Sequence, residues 1–400
     1  MSPRLSPGRT GLLVMMIMTT ATAITHAQSV QAETPIMTTQ SALAGSWTSV
    51  PDDPRVQQPE KPSEGLYQLT RHPDGSLEIN GVLKMKSPSW IASSPDGRFA
   101  WVTNEEVNGA VTALARDANG RFSVVNSVSS PGQQPTHAAL SPDGRFLIVA
   151  NYSVAPGGAG IAVFPVANNG ALSESVQEFP YAAGSGAVAD RQASGHAHSV
   201  TFSPDGSMLY VADLGADLLH AYRYAASKAL PLQPDADRNV QLPPGSGPRH
   251  MAFSADGRFA WLVTEMSAEV VGFTVTAEGL EQQQNLPLYA KNETAFKSGS
   301  GIVLSPDGRW LLVMNRGADN RILIFRIDEQ GRLQQQGAVA AGGIEPRALA
   351  FDQSGQSLYV ANVFSNSISR FSFDAQSGEL IPAGSAVTIP TATDIKFFGQ

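Results

Sequence analysis

Residues 141–151 read S-P-D-G-R-F-L-I-V-A-N, with the apolar run A-A-L at 138–140 just before them. Pro-Asp-Gly between two apolar runs is a hairpin signal, because Gly supplies the positive φ of a tight turn and Asp bonds to its own backbone. The phrase returns at Ser94–Gly97, Ser203–Gly206 and Ser305–Gly308, and in altered form at Ser254–Gly257 (SADG) and Asp352–Gly355 (DQSG). Its glycines, at 97, 144, 206, 257, 308 and 355, stand 47, 62, 51, 51 and 47 residues apart. A period of that length marks a solenoid, propeller or array.

Each copy continues with a third strand, such as GIAVFPV at 160–166 or NRILIFRI at 320–327, then a turn such as NNGAL and a weaker fourth strand. Four antiparallel strands per repeat is the blade of a β-propeller. Six full modules begin near Ser87, Pro135, His196, Gly247, Ser298 and Glu345. The tail ATDIKFF at 392–398 is a lone inner strand, and SWTSV (46–50), GLYQLTR (65–71) and SLEINGVLK (76–84) are three strands without one. Joining them makes a seventh blade shared by the two ends of the chain, which leaves no open sheet edge in the ring. The expected fold is therefore all-β, a seven-bladed propeller over residues 45–400 in a single domain.

Ahead of it, residues 1–27 read as a secretory signal peptide: Arg4 and Arg9, an apolar core from Gly11 to about Ile24, and Thr25-His26-Ala27 as a cleavage site, with Ala32 as the alternative. The apolar core is too short to span a bilayer, so no membrane span is expected after its removal. A periplasmic location follows, secretion being the alternative. Residues 28–44 and the Pro-rich stretch 51–63 are expected to be irregular.

There is no cysteine, which excludes disulfides, thiolate metal sites and thiol nucleophiles. The net charge of −8 becomes −10 (25 basic against 35 acidic residues) once Arg4 and Arg9 leave with the signal. A chain this acidic with no basic run is not suited to nucleic acid or anionic membrane. Nothing in the sequence sets the oligomeric state, and a monomer is favoured.

Superposing the repeats on their turns locates a candidate site. Five positions before each turn serine, or its equivalent, stand Ser89, Thr136, His198, Arg249, Ser300 and Arg347, followed by Trp90, His137, Ser199, His250, Gly301 and Ala348. Seven positions after each turn glycine stand Asn104, Asn151, Asp213, Thr264, Asn315 and Asn362, followed by Glu105, Tyr152, Leu214, Glu265, Arg316 and Val363. The start of an inner strand and the end of its hairpin partner lie at one sheet edge, so all these positions open on one mouth of the central channel. The Asn and Asp residues at the strand ends suit a structural role, bonding the loop backbone. The His, Arg and Glu residues break the repeat, and cations beside carboxylates in a concavity suit a polar ligand. His137, His196, His250, Arg347 and Asp213 are candidate substrate-binding residues.

No G-x-S-x-G, H-E-x-x-H or GxxxxGK[ST] motif is present. His196 and His198, two apart on a strand, form only a weak metal signal without carboxylates nearby in sequence, and no metal or other cofactor is expected. The inventory suits ester or lactone cleavage: Arg249 or Arg316 polarises the carbonyl, and Glu265 or His198 takes a proton from water.

At these residues the chain resembles the seven-bladed propeller lactonases, the family of the propeller-type 6-phosphogluconolactonases and the carboxymuconate lactonising enzymes. The motifs are PTHAALSPDG (135–144), GHAHSVTFSPDG (195–206), GPRHMAFSADG (247–257), TEMSAEVVGF (264–273), SPDGRWLLVMNRGAD (305–319) and EPRALAFDQSG (345–355). The resemblance implies a catalytic set of His198, Arg249, Glu265 and Arg316. One departure is Ile302-Val303-Leu304, where relatives often carry a histidine. Export joined to this resemblance points to an unphosphorylated sugar lactone, such as glucono-1,5-lactone, as substrate. A muconate-type cycloisomerase and a non-catalytic YVTN-like binding propeller are the competing readings, the latter suggested by L-Y-V-A-D and L-Y-V-A-N at 209–213 and 358–362.

Overall fold

The computed structural model describes residues 39–153, 158–181, 183–290 and 295–399, all within one compact unit spanning Met37–Gln400. The expected signal peptide and both its cleavage sites lie outside the described residues. Seven antiparallel sheets form the ring, each of four strands, with the third blade adding a short fifth, Val240–Gln241. Inner strands of blades one to six are Pro88–Ser93, Gln133–Leu140, Ala197–Phe202, Pro248–Phe253, Lys297–Leu304 and Pro346–Phe351. Helix is confined, among the described residues, to one 3-10 turn at Ala236–Arg238, and none is long and apolar enough to cross a membrane.

The repeated turn has a single side-chain logic. In blade two, Ser141 Oγ donates to Asp143 Oδ1 at 2.6 Å and accepts the Phe146 N–H at 3.0 Å, while Gly144 sits at φ 71°. In three blades an aromatic residue four positions after the turn glycine ties the blade to its neighbour. Trp101 donates its indole N–H to Gly170 O of the next blade at 2.9 Å, Trp261 to Gly331 O at 3.1 Å, and the Tyr359 hydroxyl to Gly75 O at 2.8 Å. Apolar clusters lie between successive blades rather than in one central core, as in the group of Trp310, Leu312, Ile324, Val360 and Phe371.

The seventh blade is shared by the two ends of the chain, as the patterning predicted, with one correction. Ala392–Phe398 is its inner strand and pairs with Gln40–Ser46, in register Leu43↔Lys396. The expected strand 46–50 is thus displaced six residues toward the N-terminus, into a segment expected to be irregular. Leu43 and Ala44 are fully buried there, and their burial decides the register, whereas Thr48 and Val50 fall in a long connection.

Every inner strand loses register by one residue or more near the mouth of the channel. The residues skipped are Ser89, Thr136, His198, Arg249, Ser300 with Gly301, Arg347 and Thr393. A β-bulge re-aims the extra side chain and bends its strand. In five blades the residue two positions earlier is left-handed: Ser87, Gln134, Gly247, Glu345 and Thr391, at φ 36–62°. Four of these are not glycine, and such backbone costs about 1 kcal/mol or more each, which surrounding structure must offset.

The altered sixth turn has a specific cause. Asp352 replaces the turn serine and meets the guanidinium of Arg71, from the shared blade, at 2.7 Å, with both side chains fully buried. Removing one partner of a buried ion pair typically costs about 3–5 kcal/mol. Asp352→Ser, which restores the repeat consensus, is expected to lower unfolding stability by about that amount in denaturant titration.

Candidate active site

Glu265 is the meeting point. Its backbone N–H donates to Gly247 O at 2.6 Å, which fixes the first residue after its strand against the left-handed turn before Arg249. A Cβ at Gly247 would lie 2.7 Å from Met266 Cγ, so a larger residue there would have to displace the Met266 side chain. The carboxylate accepts hydrogen bonds from Arg249 Nε at 3.1 Å on Oε2 and from Arg191 Nη2 at 2.6 Å on Oε1, and forms an ion pair through Oε2 with Arg316 Nη2 at 2.9 Å. His198 Nε2 lies 3.6 Å from the same Oε2. The four residues expected to be catalytic, contributed by blades three, four and five, therefore form one cluster. His198, Arg249 and Glu265 are at most 5 % exposed, and Arg316 is 9 % exposed.

The electrostatics follow from that burial. Desolvation alone would raise the Glu265 carboxyl, but Arg316, His198, Arg249 and Arg191 outweigh it and hold it well below the usual carboxylate range. Burial, reinforced by Arg316, pushes Arg249 down to about 9, so it stays charged at neutral pH. Burial and the adjacent Arg249 hold His198 well below its ordinary 6.5, against the opposing pull of Glu265. His198 is thus a neutral imidazole beside a constellation of cations, and its Nδ1 is buried without a hydrogen-bond partner.

His198, Glu265 and Arg316 open into a pocket of about 320 Å³ at the channel mouth, lined also by Trp47, Glu105, Gln134, Thr136, Tyr152, Arg191 and Arg347; Arg249, 1 % exposed, lies behind that lining. Arg347 forms another part of the lining, donating to Glu105 Oε2 at 2.9 Å and Thr136 Oγ1 at 3.2 Å. Arg191 also donates to the Tyr152 hydroxyl at 3.0 Å. Guanidiniums in such a pocket can hold an oxyanion as it develops, and a neutral imidazole can accept a proton.

The other expected residues fall into two places. His137 and His250 lie one residue further along their strands from the mouth, both against Trp90: His137 stacks on it with ring centroids 4.0 Å apart, and His250 meets it edge-on at 5.2 Å. Burial holds both imidazoles low, His137 down to about 3, and His250 Nδ1 accepts from Arg249 Nη1 at 3.4 Å. These rings lie outside the pocket lining and support it. His196 stacks on Tyr152 and its Nδ1 meets Tyr152 O at 2.6 Å, so it backs a lining residue. The bulge at His198 breaks strand alternation, and the rings of His196 and His198 are set against Tyr152 in different orientations. Among the described residues no group of three or more His, Cys, Asp or Glu side chains could hold a metal ion.

Asp213 requires correction. Its Oδ1 accepts the N–H groups of His196 at 2.7 Å and Ala216 at 3.1 Å, and its Oδ2 faces His220 Nε2 at 3.1 Å. At 1 % exposure it holds the loop rather than a ligand. Asn104, Asn151 and Asn315 act likewise, bonding the backbone of Lys86, Ala159 and Ser298.

Sequence reasoning missed Arg191, Trp47 and Glu345. Arg191 lies in the connection between blades two and three, and its signal was the 62-residue interval between Gly144 and Gly206 where the other intervals are 47–51. Long insertions in a repeat are where binding groups concentrate.

Residues 42–397 match the family model described as lactonase, 7-bladed beta-propeller. A 6-phosphogluconolactonase of Formosa agariphila is 30 % identical over 352 residues, covering 85 % of this chain and 97 % of its own. A 6-phosphogluconolactonase of Bacillus subtilis is 28 % identical over 345 residues, covering 84 % and 95 %. Among solved structures, the periplasmic gluconolactonase PpgL of Pseudomonas aeruginosa superposes with a TM-score of 0.83 at 37 % identity, covering 90 % of this chain and 99 % of that one. A propeller with its ends joined in one blade, a buried His/Arg/Glu cluster at its mouth and a family match across nearly the whole ring lead to one conclusion: the chain belongs to the seven-bladed β-propeller lactonases, enzymes that hydrolyse cyclic esters.

Proposed function

We propose that this lactonase hydrolyses an uncharged aldonolactone, such as glucono-1,5-lactone, in the periplasm. The observation that carries the substrate class is the pairing of the pocket's cations: Arg191 and Arg316 face Glu265, and Arg347 faces Glu105. A wall of matched guanidiniums and carboxylates offers both donors and acceptors to a polyol, whereas a phosphate would have to displace one of those carboxylates. The likeness to a periplasmic gluconolactonase and the signal-like residues 1–27 support the same reading.

In this reading the lactone carbonyl oxygen lies toward Arg316, with the buried Arg249 adding its charge from behind the pocket lining. His198 accepts a proton from water as the water oxygen bonds to the carbonyl carbon, and the guanidiniums stabilise the tetrahedral oxyanion. Collapse re-forms the carbonyl and breaks the bond to the ring oxygen, which takes the proton back from the imidazolium. One lactone and one water give one aldonic acid. Glu265 is the weaker candidate for the base, because a carboxylate held by three guanidiniums has little affinity for a proton. Its part is to orient Arg249 and Arg316 and to stabilise the transient imidazolium.

Proton release from glucono-1,5-lactone, measured against the spontaneous rate, is expected to be accelerated and to be insensitive to EDTA. Absence of acceleration with this and other neutral sugar lactones overturns the substrate class. Arg249→Ala and Glu265→Gln are each expected to lower kcat/KM by about 100-fold or more with the fold intact by circular dichroism. Near-normal rates in both would remove the cluster from the chemistry.

The pH dependence has a definite sign. The base must be unprotonated, and the His198 pKa is depressed, so activity is lost only as pH falls well below 6.5. The kcat/KM profile of the wild type is expected to stay flat through pH 6.5. Glu265→Gln removes the carboxylate that raises the His198 pKa, so its residual activity should persist to lower pH still. An acid limb at 6.5 or above would argue against His198 as the base.

A further inference from the structure

In six blades the connection between the second and third strands has three to seven residues, as at 105–109, 265–268 and 363–366. In the shared blade it has eighteen, 47–64. That segment does not stay on its own blade. Val56 is buried in a cluster with Val363 and Phe364 of blade six, joined by Trp47, Val50 and Ile344, and the Gln57 N–H donates to Phe364 O at 2.7 Å.

One of its side chains, Trp47, lines the active-site pocket, and a second, Arg55, reaches a residue paired with that lining. Trp47 lies under the guanidinium of Arg347, 4.5 Å from ring centroid to Cζ, and its indole N–H donates at 3.2 Å to Glu105, the carboxylate that pairs with Arg347. Arg55 is held by Asp53 through Nε at 3.0 Å and Nη2 at 2.8 Å. Its Nη1 donates to Glu345 Oε2 at 3.2 Å, and the other oxygen of Glu345 forms an ion pair with Arg316 Nη1 at 3.1 Å. Arg316 then contacts Glu265. Glu345 is itself one of the left-handed residues before an inner strand, at φ 57°, so its carboxylate position is set by the same bulge that presents Arg347.

We propose that the 47–64 connection completes the active site, with Arg55 and Trp47 as positioning residues: Arg55 fixes Arg316 through Glu345, and Trp47 fixes Arg347 directly and through Glu105. One surface segment would then set the orientation of guanidiniums that belong to two different blades. A guanidinium free to rotate stabilises an oxyanion poorly, since the benefit depends on dipoles already aimed at the charge. The inference rests on the reading of Arg316 as a group that meets the lactone.

The test is a double-mutant cycle between Arg55→Ala and Glu345→Gln, read as kcat and KM on glucono-1,5-lactone, with Arg55→Lys and Trp47→Phe alongside. Arg55→Ala is expected to lower kcat about 10-fold with KM little changed, and to add nothing in the Glu345→Gln background, because both act through the same contact. Arg55→Lys should recover part of the loss. Trp47→Ala should instead raise KM, with Trp47→Phe, which keeps the ring under Arg347, recovering most of it. Equal losses from Arg55→Ala in both backgrounds, a fall in kcat matched by a fall in thermal midpoint, or wild-type kinetics in Arg55→Ala overturns the proposal while leaving lactone hydrolysis intact. Wild-type kinetics in Arg316→Ala removes the group that Arg55 is held to position and overturns it by the other route. A wild type that hydrolyses no neutral sugar lactone, by contrast, reflects on the substrate reading.

Discussion

A single buried carboxylate organises the mouth of this propeller. Glu265 takes Arg191, Arg249 and Arg316 on its two oxygens and faces His198. Without it, the buried Arg249 and the nearly buried Arg316 would repel each other in a confined space with no counter-charge. With it, each is held in a defined orientation. The same carboxylate limits its own chemistry, because the cations that need it also strip it of basicity. In the proposed mechanism the division of labour follows from electrostatics: Glu265 orients, and the neutral imidazole beside it takes the proton.

The ring scaffold makes this arrangement from a repeated irregularity. Each inner strand carries a bulge near the mouth, so one side chain per blade is aimed where regular alternation would not put it. The backbone device is common to the blades, and only the residue at the bulge differs: serine or threonine in four of them, and His198, Arg249 and Arg347 in the others. The charged and imidazole side chains at the mouth are thus substitutions at one position of a structural repeat, and the cost of the left-handed residues before the bulges is spread around the ring.

Much of this was legible before any coordinates. The spacing of the SPDG turns disclosed the blades, and counting from each turn reached His198, Arg249 and Arg347 at the bulges and Glu105, Glu265 and Arg316 at the strand ends. That worked because register within a hairpin is rigid, so a fixed offset in sequence is a fixed place in space. Trp47, Arg55 and Arg191 were not reached, since they lie on connections that have no counterpart in the other blades and whose course depends on packing against distant loops. Asp213 was misassigned because an offset locates a side chain without saying which donors will claim it. The first strand was placed six residues late, because Leu43 and Ala44, buried between blades, look no different in sequence from an irregular lead-in.

The shared blade also has a consequence for how the chain reaches its folded state. Leu43 pairs with Lys396, a separation of 353 positions in a chain of 400. Contacts so distant in sequence carry the full loop-closure penalty and slow folding. Six blades are made of near neighbours and can assemble as the chain emerges from the ribosome, but the ring stays open, with two strand edges exposed, until the last residues are made. Synthesis order alone then delays completion of the fold. If residues 1–27 direct export as proposed above, that delay leaves the ring unclosed while the chain crosses the membrane.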